Sequence, residues 1–339
     1  MRGGHSSGAA DSWARPQRSQ PGNNRRALTR HQPPDPFETP RFSGPRTFMR
    51  LPYVRDLEGV DAAVIGIPTD GAVVFRTGAR FGPEAIRSAS VMLRNYNPLL
   101  RVDVVEKLSL VDYGDVATVP GSTVDSLERS SAAIEEVARA GVTTLCLGGD
   151  HTVLLAELRA LAAVHGPLAL IQLDSHHDLW DEYFGQKLFH GSVVRRAVEE
   201  ELIDPARSIV AGLRGSLTEA ADAELPARFG LDALTYEELA ALGAAGYSER
   251  VRERVGTAPC FLSFDIDFVD PAFAPGTGTP EVGGPSSREA LTYVRSLAGL
   301  DFRGFDCVEV SPPYDPAGQT AFVAANACFE LLSLLAVRR

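Results

Sequence analysis

The chain has 339 residues, 44% of them hydrophobic, and a formal net charge of −11. This allows a substantial core, in one large α/β domain or two smaller ones. The first 50 residues carry 9 basic and 3 acidic side chains, against 24 and 41 in the remainder, and so acidic a body argues against a nucleic-acid face.

Residues 1–40 are rich in Gly, Ser, Pro and Arg and predict a disordered extension. They lack the apolar core of a secretory signal. From 41 to 339, aliphatic runs alternate with helical patterns, which predicts a single domain. No apolar run is read as long enough to span a membrane. Cys146, Cys260, Cys307 and Cys328 each lie in an apolar segment without a Cys-x-x-Cys spacing. They read as reduced, buried thiols of a cytoplasmic protein, not as zinc ligands.

In chain order, the first strand is expected over 60–67. A glycine-punctuated loop follows, Arg76-Thr77-Gly78-Ala79-Arg80-Phe81-Gly82-Pro83, with Pro83 suited to a first helical turn. A short strand is expected at 108–111, a helix over 122–140, a strand over 142–147 and a helix over 152–165. The run 168–173 reads as a buried strand, 193–200 as a helix and 208–211 as a strand. Helices are expected near 217–225, 236–242 and 247–255. A strand precedes Asp265, a Pro/Gly-rich loop spans 270–281, a helix covers 288–298, a last strand 302–310 and a last helix 320–335.

Three of these strands end in potential metal ligands. Gly148-Gly149-Asp150-His151 follows one, Asp174-Ser175-His176-His177-Asp178 the second, and Ser263-Phe264-Asp265-Ile266-Asp267 closes the third. In open α/β sheets the carboxyl edge is where ligands bind. If the second strand persists, alternation puts Asp174, His176 and Asp178 on one face and His177 on the other. Asp265 and Asp267, two apart, share a face in the same way. Six ligands with four carboxylates exceed what one catalytic zinc takes and suit two carboxylate-bridged divalent ions. Imidazole with carboxylate and no thiolate favours manganese. His190 is either an N-terminal helix residue or a proton carrier reaching the cleft. Asp181 and Glu182 stand near the mouth as candidates for attracting a cationic substrate end, with a solvated loop as the plainer account.

These segments, with His190-Gly191-Ser192 and Val269-Asp270-Pro271, resemble the ureohydrolase (arginase/agmatinase) family over roughly residues 41–335. Arg76 to Pro83, Val111-Asp112-Tyr113-Gly114-Asp115-Val116 and Val308-Glu309-Val310-Ser311-Pro312-Pro313-Tyr314-Asp315 are similar to its agmatinase and guanidinobutyrase branch. Arginases carry an Asn where this chain has Trp180. The resemblance implies a three-layer α/β/α sandwich with a mainly parallel sheet, two Mn2+ per subunit and assembly into trimers or hexamers. It implies that His151, Asp174, Asp178 and Asp265 hold one ion, and His176, Asp174, Asp265 and Asp267 the other. Asp267 would also stabilise the tetrahedral intermediate, His190 would relay a proton, and Glu309 would receive the guanidinium. The implied reaction cleaves a small guanidino substrate to urea and an amine, with agmatine preferred and 4-guanidinobutyrate the alternative. All eight residues are present, which argues against a non-catalytic binding subunit. Arg76 is a candidate partner for a substrate carboxylate.

Overall fold

The computed structural model describes residues 30–339. Residues 1–29 of the expected tail lie outside that range. Residues 30–34 run against the body, where the His31 backbone N–H donates to Ser109 Oγ and Gln32 donates to the Val105 carbonyl.

The strands are β1 (Ala62–Gly66), β2 (Tyr96–Asn97), β3 (Val102–Asp103), β4 (Leu110–Asp115), β5 (Thr143–Leu147), β6 (Ala169–Leu173), β7 (Ile209–Leu213), β8 (Asp232–Thr235), β9 (Cys260–Asp265) and β10 (Phe302–Val308). Eight form one sheet in the order β4-β1-β5-β10-β9-β6-β7-β8, every pairing parallel, while β2 and β3 make a small antiparallel ribbon. The helices are α1 (Gly82–Ser90), α2 (Val104–Lys107), α3 (Thr123–Arg139), α4 (Val153–His165), α5 (Val193–Glu199), α6 (Leu225–Arg228), α7 (Tyr236–Val255), α8 (Ser287–Ser296) and α9 (Gln319–Arg338).

A parallel sheet must be covered on both faces, so its central strands are apolar on both sides. Alternate residues feed opposite layers. Ala169, Ile171 and Leu173 pack in the layer with α1, α7, α8 and α9, whereas Leu168 and Leu170 pack with α4 and α5. This is the expected three-layer α/β/α sandwich. Four helices, α2, α3, α7 and α8, start where a side chain satisfies a free N–H group: Ser122 accepts from Asp125 N ahead of α3, and Ser286 with Glu289 forms a capping box at α8.

Four sequence expectations change. β8 and the β2–β3 ribbon had no expected counterpart, being too short for periodicity to declare itself. The helix expected near 217–225 is instead a 3-10 turn, Ala220–Glu224, followed by the four-residue α6. The two helices expected over 236–255 are one element broken at Gly243, where φ is 62°. Finally, α9 is long and apolar enough by composition to cross a membrane, contrary to the sequence reading, but 78% of that stretch is buried inside the protein. A helix buried nearly all round has the same composition as a membrane span.

Candidate metal centre and active site

The four central strands β5, β10, β9 and β6 are contiguous, and each delivers a functional segment at its carboxyl end. After β5 the chain turns through Gly149 into α4. A Cβ on Gly149 would lie 1.6 Å from the Thr69 carbonyl oxygen, so only glycine fits there. The Leu154 N–H donates to the His151 carbonyl, which sets His151 in the first turn leading to α4.

The alternation expected after β6 does not occur, because the strand ends at Leu173 and the next residues bend. Asp174 and Asp178 converge instead through a left-handed backbone at Asp178, with φ of 53°. Glu309, directly beyond β10, has φ of 62°. Non-glycine residues adopt this conformation at a cost of about 1–2 kcal/mol each, and such strain clusters at functional sites. Asp265 and Asp267 also converge by a turn, not by strand alternation: Asp265 Oδ1 accepts from Asp267 N at 2.8 Å.

The six expected ligands come together. His151, Asp174 and Asp178 offer atoms within 4.8 Å of one another, as do Asp174, His176 and Asp267, so Asp174 belongs to both groups. His151 Nδ1 faces Asp178 Oδ2 at 2.8 Å, Asp174 Oδ2 at 3.2 Å and Asp265 Oδ2 at 3.3 Å, yet makes no hydrogen bond. Asp267 Oδ2 lies 3.0 Å from His176 Nδ1 and is likewise unbonded. Neither atom is satisfied by a hydrogen bond within the chain, an arrangement that a cation would complete.

Electrostatics agree. Burial and Asp174 push Asp178 up to about 6, and burial with Asp267 pushes Asp265 well above the carboxylate range. Burial alone would lower His151, but Asp178, Asp174 and Asp265 raise it well above its ordinary value. Like charges this close cannot all ionise unless cations neutralise them. The donor set of carboxylate and imidazole therefore fits a pair of divalent ions.

Glu309 is fully buried behind His190. Its Oε1 accepts from His151 N at 2.8 Å and lies 2.9 Å from His190 Nδ1, while Oε2 has no hydrogen-bond partner. Val74 N–H donates to His190 Nε2 at 3.2 Å, which puts the His190 proton on Nδ1, toward Glu309. His177 points away, with Nδ1 accepting from Leu179 N and its ring 4.4 Å from Trp180.

In front of the ligands lies a cavity of about 600 Å³, with His151, His176, Asp178, His190, Asp265 and Asp267 in its wall. Trp180, Tyr183 and Phe189 form an aromatic side, and Glu182, Glu219, Asp222 and Glu281 an acidic one. Among the described residues, none that lines it is Lys or Arg. Asp181 is not part of the wall and pairs with Arg195 and Arg196. Arg76 is not in the wall either, its guanidinium lying 4.9 Å from the centre of the Tyr314 ring.

A profile of the Arginase family matches residues 60–333. The chain belongs to the arginase family. It is 42% identical to a guanidinobutyrase of Pseudomonas aeruginosa over 308 residues, which cover 90% of this chain and 97% of that one. It is 39% identical to a mitochondrial agmatinase of Gallus gallus, covering 92% of each. Among solved structures, proclavaminate amidino hydrolase from Streptomyces clavuligerus superposes with a TM-score of 0.85 at 39% identity, covering 89% of this chain and all of that one. As an arginase-family ureohydrolase the chain is a hydrolase of guanidino C–N bonds, and the family depends on a binuclear metal centre.

Sequence reasoning missed the residues that hold the ligands. Gln172 donates to Asp174 Oδ2 at 2.6 Å, Ser175 Oγ donates to Asp267 Oδ1 at 2.7 Å, and Ser263 with Asp306 stands behind His151. A signal existed: Gln172, Ser263 and Asp306 are buried polar positions inside strands made mostly of apolar residues.

Proposed function

We propose that the chain is a binuclear manganese amidinohydrolase that releases urea and an amine from a guanidino compound with a cationic tail, agmatine being the preferred substrate. The observation that carries the tail preference is the cavity wall, in which Glu182, Glu219, Asp222 and Glu281 stand without any Lys or Arg among the described lining residues. An ammonium is attracted to such a wall, and a carboxylate tail would meet like charge.

His151, Asp174, Asp178 and Asp265 would hold one ion, and His176, Asp174, Asp265 and Asp267 the other. When bound, such ions make water a competent nucleophile near neutral pH and neutralise the clustered carboxylates. Glu309, which does not line the cavity as it stands, would receive the guanidinium through a charge-assisted hydrogen bond once its carboxylate turns past His190. The aromatic side excludes water from the substrate's alkyl chain. Asp267, with one oxygen tied to Ser175, is positioned to stabilise the tetrahedral intermediate with the other. His190 is the one imidazole among the described wall residues that lies outside both ligand sets, which supports its role in handing a proton to the leaving amine.

A second reading, a guanidino-acid hydrolase, is favoured by the 42% identity to the guanidinobutyrase. The wall hydroxyls Ser216 and Thr218 would then receive the substrate carboxylate. Urea release with manganese across agmatine, 4-guanidinobutyrate, 3-guanidinopropionate and arginine separates the two. Agmatine should give the highest kcat/KM. A guanidino acid ahead of agmatine would reject the cationic tail, and no urea from any of the four would reject the activity.

A further inference from the structure

Beneath the ligands, four central strands place a polar row in lateral register. Cys146 of β5 pairs with Asp306 of β10, Asp306 with Ser263 of β9, and Ser263 with Gln172 of β6. All four residues are fully buried in a sheet whose other central positions are mostly apolar. Two of them touch ligands directly: Gln172 donates to Asp174, and Ser263 Oγ lies 2.9 Å from His151 Nε2.

The direction of the hydrogen bonds is what matters. A serine hydroxyl has one proton to give. Here Ser263 gives it to Asp306 Oδ1, at 2.8 Å, while Phe264 N–H donates to the same oxygen at 3.0 Å. Toward His151, Ser263 has only a lone pair left, so His151 must carry its proton on Nε2. Nδ1 is then a lone pair, and Nδ1 is the atom that faces Asp174, Asp178 and Asp265 without a hydrogen bond.

We propose that Asp306 is a positioning residue of the metal centre, acting through Ser263 to hold His151 in the one tautomer that can bind a cation. This rests on the metal reading given above, since it says which proton arrangement that reading requires. Without the carboxylate, Ser263 is free to donate to His151 Nε2. The imidazole proton then moves to Nδ1 and closes the ligand atom. The carboxylate also makes Ser263 a better acceptor, so the His151 ring becomes more electron-rich toward its cation. Asp306 Oδ2 has no hydrogen-bond partner. A neutral amide oxygen at 306 could accept from both Ser263 and Phe264 N and so would keep the tautomer. Asp306→Ala removes the acceptor, and the proposal and a purely structural account differ in whether that change moves metal affinity or only stability.

The test is a manganese titration of the full chain, stripped of metal, by calorimetry with stoichiometry from elemental analysis. Wild type, Asp306→Ala, Ser263→Ala and the double variant are compared, alongside the melting temperature of each stripped protein. Asp306→Ala and Ser263→Ala should each weaken one of two manganese ions by about 10–100-fold and leave the other near its wild-type affinity. The double variant should be no weaker than the weaker single, because both changes break the same chain of hydrogen bonds. Wild-type affinity at both positions in the two single variants would overturn the proposal. So would a lowered melting temperature of the stripped protein with metal affinity unchanged, or losses that multiply in the double variant. Ser263→Ala removes a single oxygen and decides the matter if Asp306→Ala does not fold. Failure of the wild type to take up two ions would overturn the metal reading itself, and this proposal with it. Wild-type affinity for both ions in every variant would overturn this proposal alone.

Discussion

Two buried clusters of charge lie near the sheet, and they are built differently. At its β4 edge, Arg87 of α1 meets Asp112 through two hydrogen bonds, 2.8 and 3.0 Å, and reaches Asp115 with a third. Asp112 also accepts from Phe48 N at 2.7 Å and Gly114 N at 2.9 Å. The two buried charges there, Arg87 and Asp112, pair with each other, and Asp115 is half-exposed to solvent. At the centre of the sheet, the side-chain carboxylates of Asp174, Asp178, Asp265 and Asp267 converge on His151 and His176 with no Arg or Lys bonded to any of those carboxylates among the described residues. Arg214 reaches only the Asp267 backbone carbonyl, and two of the converging atoms have no hydrogen bond. Burying a charge is tolerable when it is paired. The first cluster is complete within the chain and holds the fold together. The second has no Arg or Lys counter-charge on its carboxylates among the described residues, and the proposed cations would supply it.

The contrast can be broken first at the centre. Asp265→Ala should reduce urea release to background and lower bound manganese, with the far-ultraviolet circular dichroism of the chain unchanged. Full activity in that variant would defeat the ligand assignment. His190→Ala should slow turnover by about 10²–10⁴-fold, the usual weight of a general acid or base, while two manganese ions per chain remain bound. Loss of metal in that variant would make His190 a ligand instead of a proton carrier.

At the edge the signature should reverse. Arg87→Ala leaves Asp112 buried without its partner and should destabilise the protein by about 3–5 kcal/mol, read by denaturant unfolding. Metal content of the folded fraction should stay at two ions, and a selective loss of metal would erase the distinction between the clusters.

A smaller effect is expected at Asp70, which ties the loop carrying Val74 to Arg80. Asp70 accepts from Gly78 N at 2.7 Å and pairs with Arg80. Although burial alone would raise it, the Arg80 guanidinium and the two backbone N–H groups hold Asp70 below the usual carboxylate range. A carboxyl depressed in the folded state stabilises it fully above its unfolded pKa of about 3.9. That contribution is lost as pH falls through the lower folded value. Asp70→Asn should therefore cost about 1 kcal/mol at pH 7, kept small because Arg80 is half-exposed. The difference from wild type should shrink in acid unfolding below pH 4. A gap that widens there would contradict the sign.

The layers of the fold were legible because buried parallel strands are long apolar runs and their helices carry caps. The ligands were legible because Asp and His at strand ends have no packing reason to recur three times. Local geometry was not. Alternation suggested that Asp174, His176 and Asp178 share a face, but a left-handed residue at Asp178 does that work, and no periodicity encodes a single φ angle. Asp181 and Arg76 looked available as charges near the mouth, yet Asp181 pairs with Arg195 and Arg196, and Arg76 lies on Tyr314. Such pairings depend on residues 14 or more positions away, or on another loop altogether. Asp306 was passed over because one acid in an apolar strand resembles noise until its neighbours across the sheet are known.

The central claim is that the unbalanced carboxylates are a two-cation site. It is tested most directly by an anomalous difference map from crystals grown with manganese. The account predicts two peaks per chain, both touching Asp174 and Asp265, with His151 on one and His176 on the other. A single peak, no peak, or peaks away from these side chains would contradict it.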